Sequence, residues 1–242
     1  NKRNFIVHGS ILAIAGILVR IIGMLYRIPV VNIIGSEGNG IYGAAFNIYN
    51  IMLVLSSYGL PMAVSKLVSA RFTKKRYKSA AKVLRCSLMV AVCTGGIAAL
   101  LVFFGASFIE NVIYGGGLPG LAVPLRILAP TIFLVAILGV IRGFFQGQST
   151  MIPTAVSQIL EQIVNAIVSI AAGYGMMKAF ASLPDVAAYG AAGSTLGTAM
   201  GALTAVLFMG FLYAVYTPTF NRLKRKDRHT ENQSTGQICK II

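Results

Sequence analysis

Arg20 and Arg27 sit in a first stretch, about 5–34, that is otherwise almost wholly apolar. Arg20 is about fifteen residues in, near mid-bilayer, where insertion scales put the cost of an arginine at about 2.5–3.5 kcal/mol. A side chain kept at that cost faces protein or water. Arg27 follows seven residues later, so on a helix it is turned only about 20° from Arg20 and displaced about 10 Å. The two form a basic stripe, and guanidinium groups in a cavity of low dielectric bind anions through charge-assisted hydrogen bonds. The competing reading is that Arg27 snorkels to the outer surface while Arg20 pairs with an internal acid.

A second polar face recurs at three- and four-residue spacing over Gln158, Glu161, Gln162, Asn165 and Ser169. Glu161 is the one acid well inside an apolar span. Three roles stay open for it: a counter-ion to Arg20, a proton-coupling group, or a structural bond between helices. Asn47, Asn50, Ser56 and Ser57 read first as interhelical hydrogen-bonders and second as cavity groups. Gly23 and many other glycines permit close helix packing, and Pro29, Gly59 and Pro61 are sites where a helix bends.

Other chemistry finds little support. His8 and His229 stand in unrelated settings, and no metal-spaced cluster or nucleophile–base pair is present, so no enzyme, metal site or cofactor is expected. Cys86 and Cys93 are about 10 Å apart along a helix, too far for a disulfide, and Cys239 lies in a polar tail. The segment Gly35-Ser-Glu-Gly-Asn-Gly40 follows a helix rather than a strand and reads as a turn, not a phosphate loop.

The elements that position these residues follow from composition. Of 242 residues 56% are hydrophobic and 11% charged, less than half the roughly 25% charged content of soluble domains. Uncharged runs from Gly38 to Ser65, Ser87 to Ile109 and Val186 to Asn221 each exceed the 18 or so residues that mark a membrane span. Six transmembrane helices are expected, at about 5–34, 41–65, 87–109, 126–146, 153–178 and 188–216, in an all-α polytopic fold.

The net charge of +15 would suggest nucleic acid in a soluble chain. Here the basic residues cluster between apolar runs, and no nucleic-acid partner is expected. Seventeen of the 21 Lys and Arg fall on one side of the six-helix topology, eight of them between Lys66 and Arg85. By the positive-inside rule that side is cytoplasmic and both ends of the chain face it. Two readings stand for the 66–85 stretch: simply a retained cytoplasmic loop, or a segment amphipathic where it meets the membrane, whose charge attracts anionic lipid headgroups.

Three stretches carry a family resemblance. They are Leu18-Val-Arg-Ile-Ile-Gly-Met-Leu-Tyr-Arg-Ile-Pro29, Gly59-Leu-Pro-Met-Ala-Val-Ser-Lys-Leu-Val-Ser69, and Arg142-Gly-Phe-Phe-Gln-Gly147 with Pro153-Thr-Ala-Val-Ser-Gln-Ile-Leu-Glu-Gln162. Together they resemble the stage V sporulation protein B group of polysaccharide biosynthesis transporters. That group lies in the superfamily (MOP) of the multidrug and toxic compound extruders (MATE), O-antigen flippases and MurJ-type lipid II flippases.

The resemblance implies one six-helix lobe, 1–216, of a two-lobe transporter. A basic cytoplasmic linker would occupy 217–237, and 238–242 would begin an absent C-terminal lobe. It further implies a flippase of the bacterial cytoplasmic membrane that moves an undecaprenyl-pyrophosphate-linked saccharide such as lipid II, for peptidoglycan, spore cortex or polysaccharide synthesis. Arg20, Gly23 and Arg27 correspond to an Arg–Gly–Arg pattern of MurJ-type first helices, with one more residue between the arginines. Asn165 stands where the family often has a basic residue. A coupling ion, Na+ or H+, is left open. The alternatives are a cation-coupled drug exporter of the same architecture and a non-transporting scaffold for cell-wall assembly.

Overall fold

Apolar runs of this length give the backbone no water to bond, and the α-helix satisfies its N–H and C=O groups within the segment. The computed structural model describes residues 2–227, 236 and 238. Among them are six α-helices and no strand: α1 (Lys2–Ser56), α2 (Leu60–Thr73), α3 (Tyr77–Phe108), α4 (Ala122–Gly147), α5 (Ile152–Ala179) and α6 (Val186–Lys226). A π-helical turn over Ile109–Ile113 extends α3. Five helical stretches among the described residues are long and apolar enough to cross a membrane, the first running through α1 and α2.

The element α1 is not one straight rod. Gly35 has φ 69° and ψ −175°, a conformation open in practice only to glycine. The guanidinium of Arg27 lies 5.3 Å from the ring of Tyr42, whereas fifteen residues of straight helix would separate them by about 22 Å. The chain therefore folds back at Gly35, and α1 supplies two spans, a first arm (2–34) and a second arm (36–56). The turn expected over Gly35–Gly40 shrinks to Gly35 alone. Gly38 is already helical, and a Cβ there would stand 3.2 Å from the carbonyl oxygen of Ala187.

Two further boundaries differ from expectation. The span expected over 41–65 stops at Ser56, and Pro61, which has no N–H to lose, starts a new helix at its first turn. The basic stretch over 66–85, read as a plain loop or as an amphipathic segment, is helical except for Lys74–Arg76, with Val64, Val68, Ala80, Val83 and Leu84 buried along its inner side. The sixth helix, expected to end at 216, continues to Lys226, so 217–226 is helix rather than linker. The rest of the expected linker and second-lobe start, at 228–235, 237 and 239–242, lies outside the described residues.

Phe220 explains the longer α6. It is buried in an aromatic cluster, stacked on Phe72 at 6.1 Å and edge-on to Phe144 at 5.4 Å. That cluster ties the ends of α2, α4 and α6 to the start of α3 and marks the basic end of the molecule. There Asp227 accepts a hydrogen bond from the backbone N–H of Lys78 at 2.9 Å, and Ile238 is buried in the same apolar cluster.

Small residues let the helices approach closely. A Cβ on Gly143 would stand 2.5 Å from the carbonyl oxygen of Pro61, and one on Gly147 would stand 2.8 Å from that of Ser65, so α2 lies directly on α4. The same device joins α6 to α5, where Gly201 faces the Glu161 carbonyl. Such close contact is how helices associate in lipid, where apolar surface alone provides no drive.

Candidate functional site

The first arm of α1 sets its arginines outward. Arg20 and Arg27 are exposed, on a face that also exposes Ile17, Ile21, Met24, Leu25 and Ile28. Neither forms an ion pair among the described residues. Arg27 is steadied by its cation–π contact with Tyr42, and beside it an open groove of about 470 Å³ is lined by Met24, Arg27, Ile28, Val31 and Asn32.

The opposite edge of the same arm meets the polar face of α5. A Cβ on Gly23 would come 3.3 Å from Nε2 of Gln162, and Nδ2 of Asn165 donates to the Tyr26 hydroxyl at 3.2 Å. Both pairings rise together in number, so α1's first arm and α5 run in the same direction. Asn165 is buried, and its Oδ1 lies 2.9 Å from the Ser169 hydroxyl, which also reaches the Ser194 carbonyl at 2.8 Å. Asn165 thus serves the packing of α1, α5 and α6, with its amide turned to Tyr26.

Glu161 does not pair with Arg20. Its Oε2 accepts from Nη2 of Arg142 at 2.8 Å, with side-chain exposures of 25% and 15%. Arg142 also donates from Nε to Ser157 at 2.9 Å, and Ser157 in turn donates to the carbonyl of Thr154. Of the three roles open for Glu161, that of counter-ion is therefore filled toward a different arginine, Arg142 on α4. The signal was in the hairpin: with the turn at 148–151, positions whose numbers add to about 300 face each other, as Gln146 faces Thr154 and Arg142 faces Ser157 and Glu161.

The remaining candidates scatter. Asn47 and Asn50 are exposed on α1's second arm and make no interhelical hydrogen bond among the described residues. Pro29 lies inside the first arm of α1. Pro61 is wedged against Gly139 and Gly143, and with Gln158 and Arg142 it lines a cavity of about 230 Å³ between α1's second arm, α4 and α5. No group of three or more potential metal ligands occurs among the described residues.

The sequence matches a family described as polysaccharide biosynthesis protein over residues 6–236. It is 34% identical over 176 residues to the lipid II flippase MurJ of Bacillus subtilis (strain 168), covering 70% of this chain and 32% of that protein. It is 31% identical over 209 residues to stage V sporulation protein B of the same organism, covering 86% of this chain and 39% of that protein. The fold matches a MOP superfamily transporter from Pyrococcus furiosus with a TM-score of 0.73 at 17% identity, over 96% of this chain and 50% of that one. The chain thus spans about a third to two fifths of the length of these curated relatives.

Proposed function

This chain belongs to the polysaccharide biosynthesis protein family, a group of multi-pass helical membrane proteins, and from that premise we propose that it is part of a flippase for a pyrophosphate-linked saccharide. The substrate proposed is undecaprenyl-pyrophosphate-linked, with lipid II as the leading example, and the membrane is the bacterial cytoplasmic membrane with the basic end inward.

The observation that carries this reading is the unpaired stripe of Arg20 and Arg27. Two arginines without acidic partners among the described residues, on a face of large exposed apolar side chains, suit a ligand that is anionic at one end and hydrocarbon at the other. The pyrophosphate would take the guanidinium groups while the prenyl chain stays among Ile17, Ile21 and Met24 or in lipid. A face of that kind needs cover, and the proposed cover is a second lobe, with the headgroup cavity between the two.

Transport would follow by rocking one lobe against the other, exposing the headgroup site to each side in turn. Pro29 and Gly35 are the flexing points suggested by α1. Pro61, held between Gly139 and Gly143, moves with α4. The proposed activity makes and breaks no covalent bond.

The test is complementation. The full-length parent protein should rescue a strain lacking its lipid II flippase, and Arg20→Ala at equal membrane abundance should not. Rescue by both versions would defeat the stripe as the substrate site, and rescue by neither would defeat lipid II as the substrate.

A further inference from the structure

The cavity between α1's second arm, α4 and α5 is separate from the stripe on α1's outer face. Its volume of about 230 Å³ gives room for about seven water molecules at about 30 Å³ each. Leu53, Pro61 and Val135 make an apolar wall, while Tyr58, Gln158 and Arg142 bring polar groups. Among the described residues Arg142 is the one charged group lining it. Glu161 is not part of the lining, so the ion pair turns its positive member to the cavity.

Arg142 is also under-used by its partners. Its five N–H groups form a rigid fork; Nε is taken by Ser157 and Nη2 by Glu161, while Nη1 has no partner among the described residues. A guanidinium that spends Nε and Nη2 on protein partners and lines a cavity keeps Nη1 for an incoming oxyanion. Its depth agrees with that use. Gly23 stands beside Gln162 and the two helices run the same way, so Arg20 is level with about position 159, and Arg142 reaches Ser157 and Glu161 on either side of that level.

We propose that the Arg142 cavity is a second recognition point for a lipid-borne phosphate, set at the depth of Arg20 but inside the lobe. The phosphate takes the free edge of Arg142, and the first prenyl carbons lie against Leu53, Pro61 and Val135. Glu161 is a positioning residue that holds the guanidinium and competes with the incoming anion for its charge. This rests on the flippase reading only for the choice of a prenyl carrier.

Equilibrium binding of farnesyl pyrophosphate and of inorganic pyrophosphate to the full-length protein in detergent tests it. Glu161→Gln removes the competing carboxylate and should tighten farnesyl pyrophosphate by about threefold or more. The double variant Arg142→Gln/Glu161→Gln leaves no unpaired buried charge and should weaken binding by about tenfold or more, the equivalent of one charge-assisted hydrogen bond. Arg142→Lys keeps the charge but not the fork, should also weaken binding, and serves if the double variant does not fold.

Wild-type affinity in the double variant and in Arg142→Lys, or weaker binding in Glu161→Gln, overturns the proposal. Equal affinity for the two ligands overturns its lipid-borne part, since the apolar wall should favour the prenyl compound by about tenfold. The outcome is separable from complementation. An Arg20→Ala protein that still rescues would defeat the flippase stripe and leave the Arg142 titration standing, whereas unaltered binding in the Arg142 variants would defeat this inference alone.

Discussion

Arg20 and Arg142 stand at nearly the same depth and differ in what lies within reach. Arg142 is mostly buried between α4 and α5, with a carboxylate at 2.8 Å and a serine hydroxyl at 2.9 Å. Arg20 is exposed on the outer face of α1 with no ion pair among the described residues. Arg142 has its charge balanced inside the lobe; Arg20 adds charge that no described residue neutralises. An arginine in an apolar span is therefore not a functional signal by residue type alone. What separates the two is the counter-charge: Arg142 shares its charge with Glu161, whereas Arg20 meets no acid among the described residues.

That contrast makes opposite predictions for stability, and the largest concerns the pair. Arg142→Ala leaves Glu161 mostly buried without a partner and should cost about 3 kcal/mol in unfolding of the detergent-solubilised protein. The double variant Arg142→Gln/Glu161→Gln should recover most of that loss. A single variant as stable as wild type would erase the distinction between the two arginines.

A second prediction probes the scaffold beneath the pair. Gly143→Ala places a Cβ 2.5 Å from the Pro61 carbonyl oxygen and 3.1 Å from Val64 Cβ, so α2 must move off α4. Overpacking of this kind costs about 1–3 kcal/mol. Gly96→Ala, where the nearest atom is a Phe133 ring carbon at 3.9 Å, is the matched control and should be near neutral. Thermal melts of the two variants check the difference.

Tyr26→Phe should have a smaller effect. It removes the hydroxyl that accepts from Asn165, and one hydrogen bond of this type contributes about 1 kcal/mol. The loss should loosen α1 from α5 and appear as faster amide exchange in the first arm of α1. Unchanged exchange would mean that Gly23 packing on Gln162 suffices to hold the arm.

Much of this arrangement was legible in the sequence, for reasons that particular residues make plain. Spans such as α5 come from long apolar runs whose ends carry turn residues, and the expected 153–178 differs from Ile152–Ala179 by one residue at each end. Arg20 and Arg27 stood out because a charge in such a run is expensive wherever it ends up. The break at Ser57–Gly59 was less legible: Gly59 and Pro61 signal a bend, but whether Pro61 bends a helix or starts one depends on its fit against Gly139 and Gly143. The partner of Arg142 was not legible because it is set by the register of the α4–α5 hairpin, which counting basic residues along the chain does not give.

Arg20→Ala should have the smallest effect on stability and the sharpest bearing on function. The side chain is exposed and makes no ion pair among the described residues, so its truncation should change the unfolding free energy by less than about 0.5 kcal/mol. Its charge costs about 2.5–3.5 kcal/mol in an apolar environment where nothing compensates it; in the proposed water-filled headgroup cavity between two lobes that cost is absent, so its removal brings no gain. The informative result is therefore a pair of measurements on one variant: an unchanged melt and a lost rescue. An unchanged melt with rescue intact would make Arg20 dispensable, and a melt lowered as far as that of Arg142→Ala would mean that Arg20 has a counter-charge outside this lobe, making it an ion-paired arginine like Arg142 and leaving Arg27 alone on the stripe.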